Sequence, residues 1–238
     1  MRKHPNRFLL CLTAIVILVF HSSAAWCEEL VGQPTIHLAN GNSYSTGKAF
    51  AIRWFKGRTL LLMPLHGFGP AGGLDYYITP TGISSAVREV EVRDLTDSHT
   101  LVRVSKSLLT TGNPVERNTG DVSEDLTAFE IQGSNSLHVF SLSPRLPAVG
   151  TRVRIATQER GSTSGVQYFD GVIQGAANTG LVIRMNEHFQ PGASSGAPVI
   201  DDKNQLIGMM VGHQTDELMM ASPVNSIYAR LHAALGSK

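Results

Sequence analysis

Short segments in which apolar and polar residues alternate make up most of the chain. Clusters of Gly, Pro, Asn, Asp and Ser separate these segments, and a period of two between turn-forming clusters predicts β-strands. The expected strands are Ala49–Ile52, Thr59–Met63, Val87–Arg93, Leu101–Val104, Phe129–Ile131, Leu137–Leu142, Arg152–Ala156, Gln167–Ile173, Leu181–Met185, Pro198–Ile200, Leu206–Val211 and Leu218–Ala221. So many short strands predict an all-β protein built from β-barrels or a sandwich.

One segment near the C-terminus has helical spacing instead. Its apolar residues are Val224, Ile227, Leu231 and Leu235. A serine N-cap at Ser222 and a proline at the first helical position, Pro223, are typical of a helix start. A closing α-helix is therefore expected after the last strand.

The alternation of apolar and polar residues breaks between Ser143 and Pro147, where two prolines flank an Arg-Leu pair. Prolines outside a regular strand pattern are typical of a linker. We therefore predict an N-terminal β-barrel over residues 35–142 and a C-terminal β-barrel with the closing helix over residues 143–238.

The N-terminus has the layout of a secretory signal peptide. Basic residues precede an apolar run from Phe8 to Phe20, and small residues follow it. We expect residues 1–25 to be removed after Ala25, or alternatively after Cys27, and the mature protein to be secreted or periplasmic. The run is shorter than the roughly 20 residues of a spanning helix, so no transmembrane segment is expected in the mature chain.

Composition excludes several classes of protein. The 238 residues are 42% hydrophobic and 16% charged, with a formal net charge of +1, which argues against a disordered chain and against a nucleic-acid-binding surface. The two cysteines, Cys11 and Cys27, lie in or beside the predicted signal peptide, so no internal disulfide is expected. Because the histidines are scattered along the chain, neither a metal site nor a cofactor is predicted.

A glycine-flanked pair of serines, Ser194 and Ser195, stands directly before an apolar strand. A serine at such a bend exposes its hydroxyl while nearby backbone N–H groups converge on one point, which is what acyl transfer needs to stabilise an oxyanion. The same composition is also typical of an ordinary tight turn.

Two further segments favour the chemical interpretation. His66 follows an apolar strand and enters a glycine-rich turn, where a general base would be well placed. Asp125 precedes another strand and is the expected partner of that histidine, with Asp121 as the alternative. Histidine, aspartate and serine in this chain order form one of the known arrangements of a nucleophilic triad.

These three motifs resemble those of the chymotrypsin-like serine peptidases, and within them the exported bacterial branch, such as the protease domain of Do-like peptidases without a PDZ domain. The matching residues are His66, Asp125-Leu126 and Ser195-Gly196-Ala197-Pro198. The resemblance implies two perpendicular six-stranded antiparallel barrels and peptide substrates cleaved through an acyl-enzyme. It also implies an oxyanion hole from the backbone of Ala193 and Ser195, and substrate binding along Met210, Val211 and Gly212.

The chain departs from the family pattern at Ala193, where the family has a glycine. This departure keeps open a catalytically impaired, trypsin-fold binding protein as an alternative function. Ser194 is the alternative nucleophile. With that assignment a glycine, Gly192, would take the oxyanion-hole position two residues before the serine. The residues 192–196 also satisfy the G-x-S-x-G pattern of an α/β-hydrolase esterase, which is a third interpretation.

The sequence is less informative about side-chain specificity and oligomeric state. Phe189 and the segment around Met210 indicate an apolar side-chain pocket, whereas an acidic pocket floor at Asp216 would favour basic side chains. The oligomeric state is left open.

Overall fold

The computed structural model describes residues 28–115, 120–188 and 190–236. The predicted signal peptide, its two cleavage positions and Phe189 lie outside these residues. None of the described helices is long and apolar enough to cross a membrane.

Strands dominate the described part of the chain, and two α-helices accompany them. The strands are β1 (Gln33–Leu38), β2 (Ser43–Ser45), β3 (Phe50–Arg53), β4 (Thr59–Met63), β5 (Val87–Arg93), β6 (Thr100–Val104), β7 (Thr127–Glu130), β8 (Val139–Phe140), β9 (Arg152–Thr157), β10 (Gln167–Ala177), β11 (Gly180–Met185), β12 (Pro198–Ile200), β13 (Leu206–Thr215) and β14 (Leu218–Pro223). The helices are α1 (Ile83–Ala86) and α2 (Val224–Leu235).

The last six strands form a closed antiparallel barrel, in the order β10-β11-β14-β13-β12-β9. Side chains that alternate along these strands fill its interior, among them Ile155, Ile183 and Val199. Closure gives each strand two neighbours, but among the described residues β13 beyond Met210 pairs with β14 alone and leaves its other edge open.

The first half consists of two four-stranded sheets, β2-β1-β5-β6 and β7-β4-β3-β8. Isolated bridges join them at two places, Gly32 with Ala49 and Ser107 with Phe129. With these bridges, β1, β5, β6, β7, β4 and β3 follow one another around a ring of six strands. The all-β architecture predicted from the strand pattern is therefore confirmed, and so is the trypsin-like fold that the family resemblance implies.

A shared core connects the two halves. Phe50 and Leu62, from β3 and β4, lie in the same buried cluster as Met209 of β13 and Ile227 of α2. The closing helix was expected, and it packs on this cluster through residues at helical spacing. Burial of apolar side chains from both halves in one cluster fixes their positions relative to each other.

Several details differ from the sequence prediction. The strands β1 and β2 were not predicted, and β10 and β13 extend past their expected ends into exposed hairpins. Ser222 does not cap α2, because it is the penultimate residue of β14 and its hydroxyl donates to the Val122 carbonyl at 2.5 Å. Pro223 occupies the cap position instead. The antiparallel barrels also exclude the α/β-hydrolase alternative, which requires a doubly wound parallel sheet.

Candidate active site

His66 lies at the C-terminal end of a buried strand. β4 is apolar along its length, and Pro64 ends it before a 3-10 turn over Leu65–Phe68. The turn is buried throughout, and His66 itself is only 5% exposed. A polar ring in such a position requires a hydrogen-bonding partner.

Asp125 is that partner. Its side chain is completely buried, with 0% exposure, and both of its oxygens contact His66. Oδ2 pairs with the ring Nδ1 at 2.5 Å, and Oδ1 accepts the His66 backbone N–H at 2.8 Å. The two contacts fix the ring and its turn against one carboxylate.

The register of two neighbouring strands explains why these residues meet. β4 and β7 are antiparallel, and Met63 pairs with Thr127 at the end of the ladder. His66 comes three residues after Met63, and Asp125 comes two residues before Thr127. Both residues therefore lie just beyond the same end of the β4–β7 pair. Asp121, the alternative, instead accepts the backbone N–H and the hydroxyl of Ser123 within its own turn.

The two serines have different environments. Ser194 is 0% exposed, and its Oγ accepts a hydrogen bond from the buried Thr157 hydroxyl at 3.2 Å. Ser195 is half-buried, and its Oγ lies 3.4 Å from the Val211 carbonyl, to which it donates. Only Ser195 of this pair presents its hydroxyl to the solvent-accessible side of the loop.

Two consecutive β-turns carry the serines. The Ser194 N–H donates to the Pro191 carbonyl at 3.0 Å, and the Ala197 N–H donates to the Ser194 carbonyl at 2.9 Å. The third residues of these turns, Ala193 and Gly196, have φ of 65° and 93°. Positive φ at the third position is the signature of a type II turn.

Gly196 is required by space as well as by conformation. A Cβ at this position would lie 2.0 Å from the Lys48 carbonyl oxygen. Ala193 has no such crowding and is exposed, but its left-handed backbone costs an L-residue about 1–2 kcal/mol. The position of the family's glycine therefore adopts a positive φ even though it holds alanine.

The sign of φ at Ala193 determines the orientation of the Gly192–Ala193 peptide. A type I turn would give Ala193 a negative φ and rotate that peptide, so that its carbonyl took the place of its N–H. Within the described residues, neither the Ala193 N–H nor the Ser195 N–H donates to any acceptor. Two unpaired N–H donors beside an accessible serine hydroxyl are the groups from which an oxyanion hole can be built.

The predicted substrate strand is part of β13. Met210 is buried, and its N–H and carbonyl are already bonded to the Ala197 carbonyl and the Gly196 N–H. The pairing of β13 with β14 shifts between Met210 and Gly212, so Val211 sits in a bulge next to Ser195. Gly212 is partly exposed, and the chain continues into exposed residues that include Asp216 at the hairpin tip.

Lys48 is a site residue that the sequence did not reveal. Its side chain is 3% exposed, and its Nζ donates to the Ala193 carbonyl at 3.1 Å. Burial lowers its pKa from 10.5 to about 8. A single lysine before an apolar strand carries no sequence signal that separates it from a surface lysine.

One group of potential metal ligands exists in the described ranges. Asp94, Asp97 and His99 bring ligand atoms within 4.8 Å of one another in the loop between β5 and β6. Asp94 already accepts the backbone N–H groups of Thr96 and Asp97, and Asp97 accepts that of His99. These carboxylates are used to order the loop.

A family comparison agrees with this geometry. The model of the trypsin-like peptidase domain matches residues 75–209, which include Asp125 and Ser195 and are more than half of the chain. The chain belongs to the trypsin-like peptidases. It is therefore a serine-type peptidase by family. No curated protein matches its sequence significantly.

Solved structures with the same fold cover most of the chain. The active form of the Rv3671c protease from M. tuberculosis is 14% identical, with a TM-score of 0.56 over 89% of this chain and 83% of that one. The thermostable serine protease AL20 from an extremophilic microorganism is 10% identical, with a TM-score of 0.60 over 88% and 98%. A Glu endopeptidase is 14% identical, with a TM-score of 0.54 over 90% and 93%. At these identities the likeness concerns the fold.

Proposed function

We propose that this trypsin-like peptidase is a working endopeptidase with His66, Asp125 and Ser195 as its triad. The observation that carries the proposal is the buried carboxylate of Asp125, both of whose oxygens are bonded to His66. A carboxylate in this position holds the proton on Nδ1, so that Nε2 is the basic nitrogen.

In the proposed reaction, Ser195 Oγ attacks the carbonyl carbon of a peptide bond while His66 accepts its proton. Asp125 stabilises the resulting imidazolium. The tetrahedral oxyanion binds the N–H groups of Ala193 and Ser195, which have no internal acceptor in the ranges described above. Collapse of the intermediate transfers the proton from His66 to the leaving amine and forms an acyl-enzyme, which water then hydrolyses by the same route.

The peptide substrate would bind along β13. Because the Met210 backbone is fully paired within the barrel, we assign substrate pairing to Val211 and Gly212 and treat Met210 as their support. An extended substrate in this place adds a strand to a sheet edge, a common mode of peptide binding.

A fluorophosphonate probe tests the proposal without knowledge of the substrate. We expect the folded protein to be labelled, and peptide mapping by mass spectrometry to find the probe on Ser195. Ser195→Ala should abolish labelling, whereas Ser194→Ala should keep it, since Ser194 is fully buried. Folded protein without labelling would favour the binding-protein alternative, and probe on Ser194 would refute the assignment of the nucleophile.

We also propose that the enzyme is exported. The support is the three-part pattern of residues 1–25. Expression in a bacterial host followed by N-terminal sequencing should find a mature protein that starts at Trp26 or Glu28. A protein that keeps its first residues and stays in the cytoplasm would contradict export, but it would leave the triad assignment untouched.

A further inference from the structure

Methionines are concentrated on the strands around the proposed substrate-binding segment. Five of the six methionines in the described ranges lie on β11, β13 and β14, and the sixth ends β4. The five are Met185, Met209, Met210, Met219 and Met220. A flexible thioether fills irregular gaps in a core, which accounts for buried methionines. A thioether that solvent can reach is also open to oxidation.

Met220 differs from the other described methionines in its exposure. Each of the others is at most 4% exposed, whereas Met220 is only partly buried. Alternation along β14 explains the difference, because its neighbours Met219 and Ala221 belong to the interior of the barrel. Met220 lies on the outer face, where it packs against the apolar cluster shared by the two halves. A small oxidant in the solvent should therefore react with Met220 first.

The Met220 side chain lies against Gly212, one of the two residues assigned to substrate pairing. The two residues are partners in the β13–β14 ladder, so their side-chain positions share one face of the sheet. A Cβ at Gly212 would lie 3.5 Å from Met220 Cε. The thioether methyl therefore borders the space that a side chain of Gly212 would fill. The substrate would pair with the opposite, open edge of β13.

We propose that Met220 is an oxidation site and that its oxidation by hydrogen peroxide lowers the peptidase activity. The Met220 sulfur attacks one peroxide oxygen, an S–O bond forms and the O–O bond breaks. The departing oxygen takes up the proton of the transferred one, so the products are methionine sulfoxide and water. Sulfur loses the two electrons that the peroxide gains. The inference rests on the proposed function, because it concerns the same substrate-binding strand.

The sulfoxide changes the surface against which Gly212 packs. Its oxygen is bonded to the sulfur, next to the methyl group that borders Gly212. This oxygen is a polar acceptor, whereas the cluster on which Met220 packs is apolar, so the oxidised side chain no longer fits its place. Displacement of the side chain disturbs β13 at Gly212. Because Met220 belongs neither to the triad nor to the oxyanion hole, substrate binding should suffer and the reactivity of Ser195 should not.

Peptide mapping by mass spectrometry after mild treatment with hydrogen peroxide tests the selectivity of oxidation. We expect sulfoxide to accumulate on Met220 about tenfold or more faster than on the five buried methionines, since exposure governs the reaction. The measurement is made on the folded wild type and needs no variant. Oxidation of Met220 at the rate of the buried methionines, or more slowly, would refute the assignment of the site.

Cleavage of a peptide mixture from a digested proteome tests the effect on activity, because such a mixture contains most sequence contexts. After peroxide treatment the wild type should cleave about fivefold or more slowly, while labelling of Ser195 by the fluorophosphonate probe should fall less than about twofold. Met220→Leu removes the sulfur at similar volume, and its cleavage rate should not change on treatment. Met185→Leu, at a buried position, is the matched control and should lose activity as the wild type does.

Two results would overturn the inference. One is an equal loss of cleavage in Met220→Leu and in the wild type, which would place the damage elsewhere. The other is an equal fall of cleavage and labelling together with a lower unfolding temperature, which would mean that oxidation damages the fold as a whole. Untreated wild type that neither cleaves any peptide nor reacts with the probe would instead count against the proposed function, so the two failures are distinct.

Discussion

The carboxylate of Asp125 has two tasks at once. Oδ1 anchors the backbone of the turn that carries His66, and Oδ2 orients the imidazole ring. Because Asp125 is fully buried, solvent does not screen the attraction between its carboxylate and the His66 ring. In the proposed reaction, Asp125 would therefore strongly stabilise the imidazolium of His66. Asp125 thus both anchors the turn that carries His66 and orients the His66 ring.

Asp125→Asn tests this dual role. Asparagine can still accept the His66 backbone N–H through its oxygen, but its NH₂ would donate to Nδ1 and move the imidazole proton to Nε2. His66 could then no longer accept the Ser195 proton, and we expect peptide hydrolysis to fall by about 10⁴-fold with the fold retained. Turnover and thermal unfolding should be measured on the same preparation.

Asp121→Asn is the matched control, since within the described part of the chain the Asp121 side chain bonds only to Ser123. It should hydrolyse peptides at close to the wild-type rate. Near-normal turnover in Asp125→Asn, or an equal loss in Asp121→Asn, would show that the aspartate has been misassigned.

At the scale of single residues, the sequence predicted that His66 and Asp125 meet but not how the nucleophile loop is held. His66, Asp125 and the serine pair were recognisable because their residue types and order carry chemical meaning. The choice between Ser194 and Ser195 depends on burial, which two adjacent serines in one turn do not reveal. The bond of Lys48 to the Ala193 carbonyl joins residues 145 positions apart, which the local sequence does not reveal.

Strands that lie between clear turn signals were the most predictable. β4, β5 and β12 have the predicted bounds, since their apolar residues are uninterrupted or alternate between such signals. β1 was missed although its burial alternates along Gln33–Leu38, because one of its three buried positions is Pro34, a residue that argues against a strand. The exposed ends of β10 and β13 are held by hairpin pairing, and such pairing leaves no hydrophobic signal.

The site depends on how these elements pair. The register of β4 with β7 brings His66 to Asp125, and the bonds of Met210 to Gly196 and Ala197 place the nucleophile loop beside β13. A shift of one residue in either pairing would turn the relevant side chains to the opposite face of the sheet. The catalytic geometry is thus a consequence of strand register in both halves.

At the scale of the whole molecule, the burial of Lys48 makes the stability of the fold depend on pH. Its pKa is about 8 in the folded protein and near 10.5 when the chain is unfolded. Between these values the unfolded state binds more protons than the folded state, so a rise in pH stabilises the fold through this residue.

The stability of the wild type should therefore rise with pH between pH 8 and pH 10. The free energy of unfolding of the wild type, taken relative to Lys48→Met at each pH, should increase by about 2–3 kcal/mol over this window. Urea unfolding of both proteins measures this difference, and Lys203→Met, which replaces an exposed lysine, should show no such trend relative to the wild type. A difference that stays constant across the window would show that the Lys48 amine of the folded protein does not titrate there.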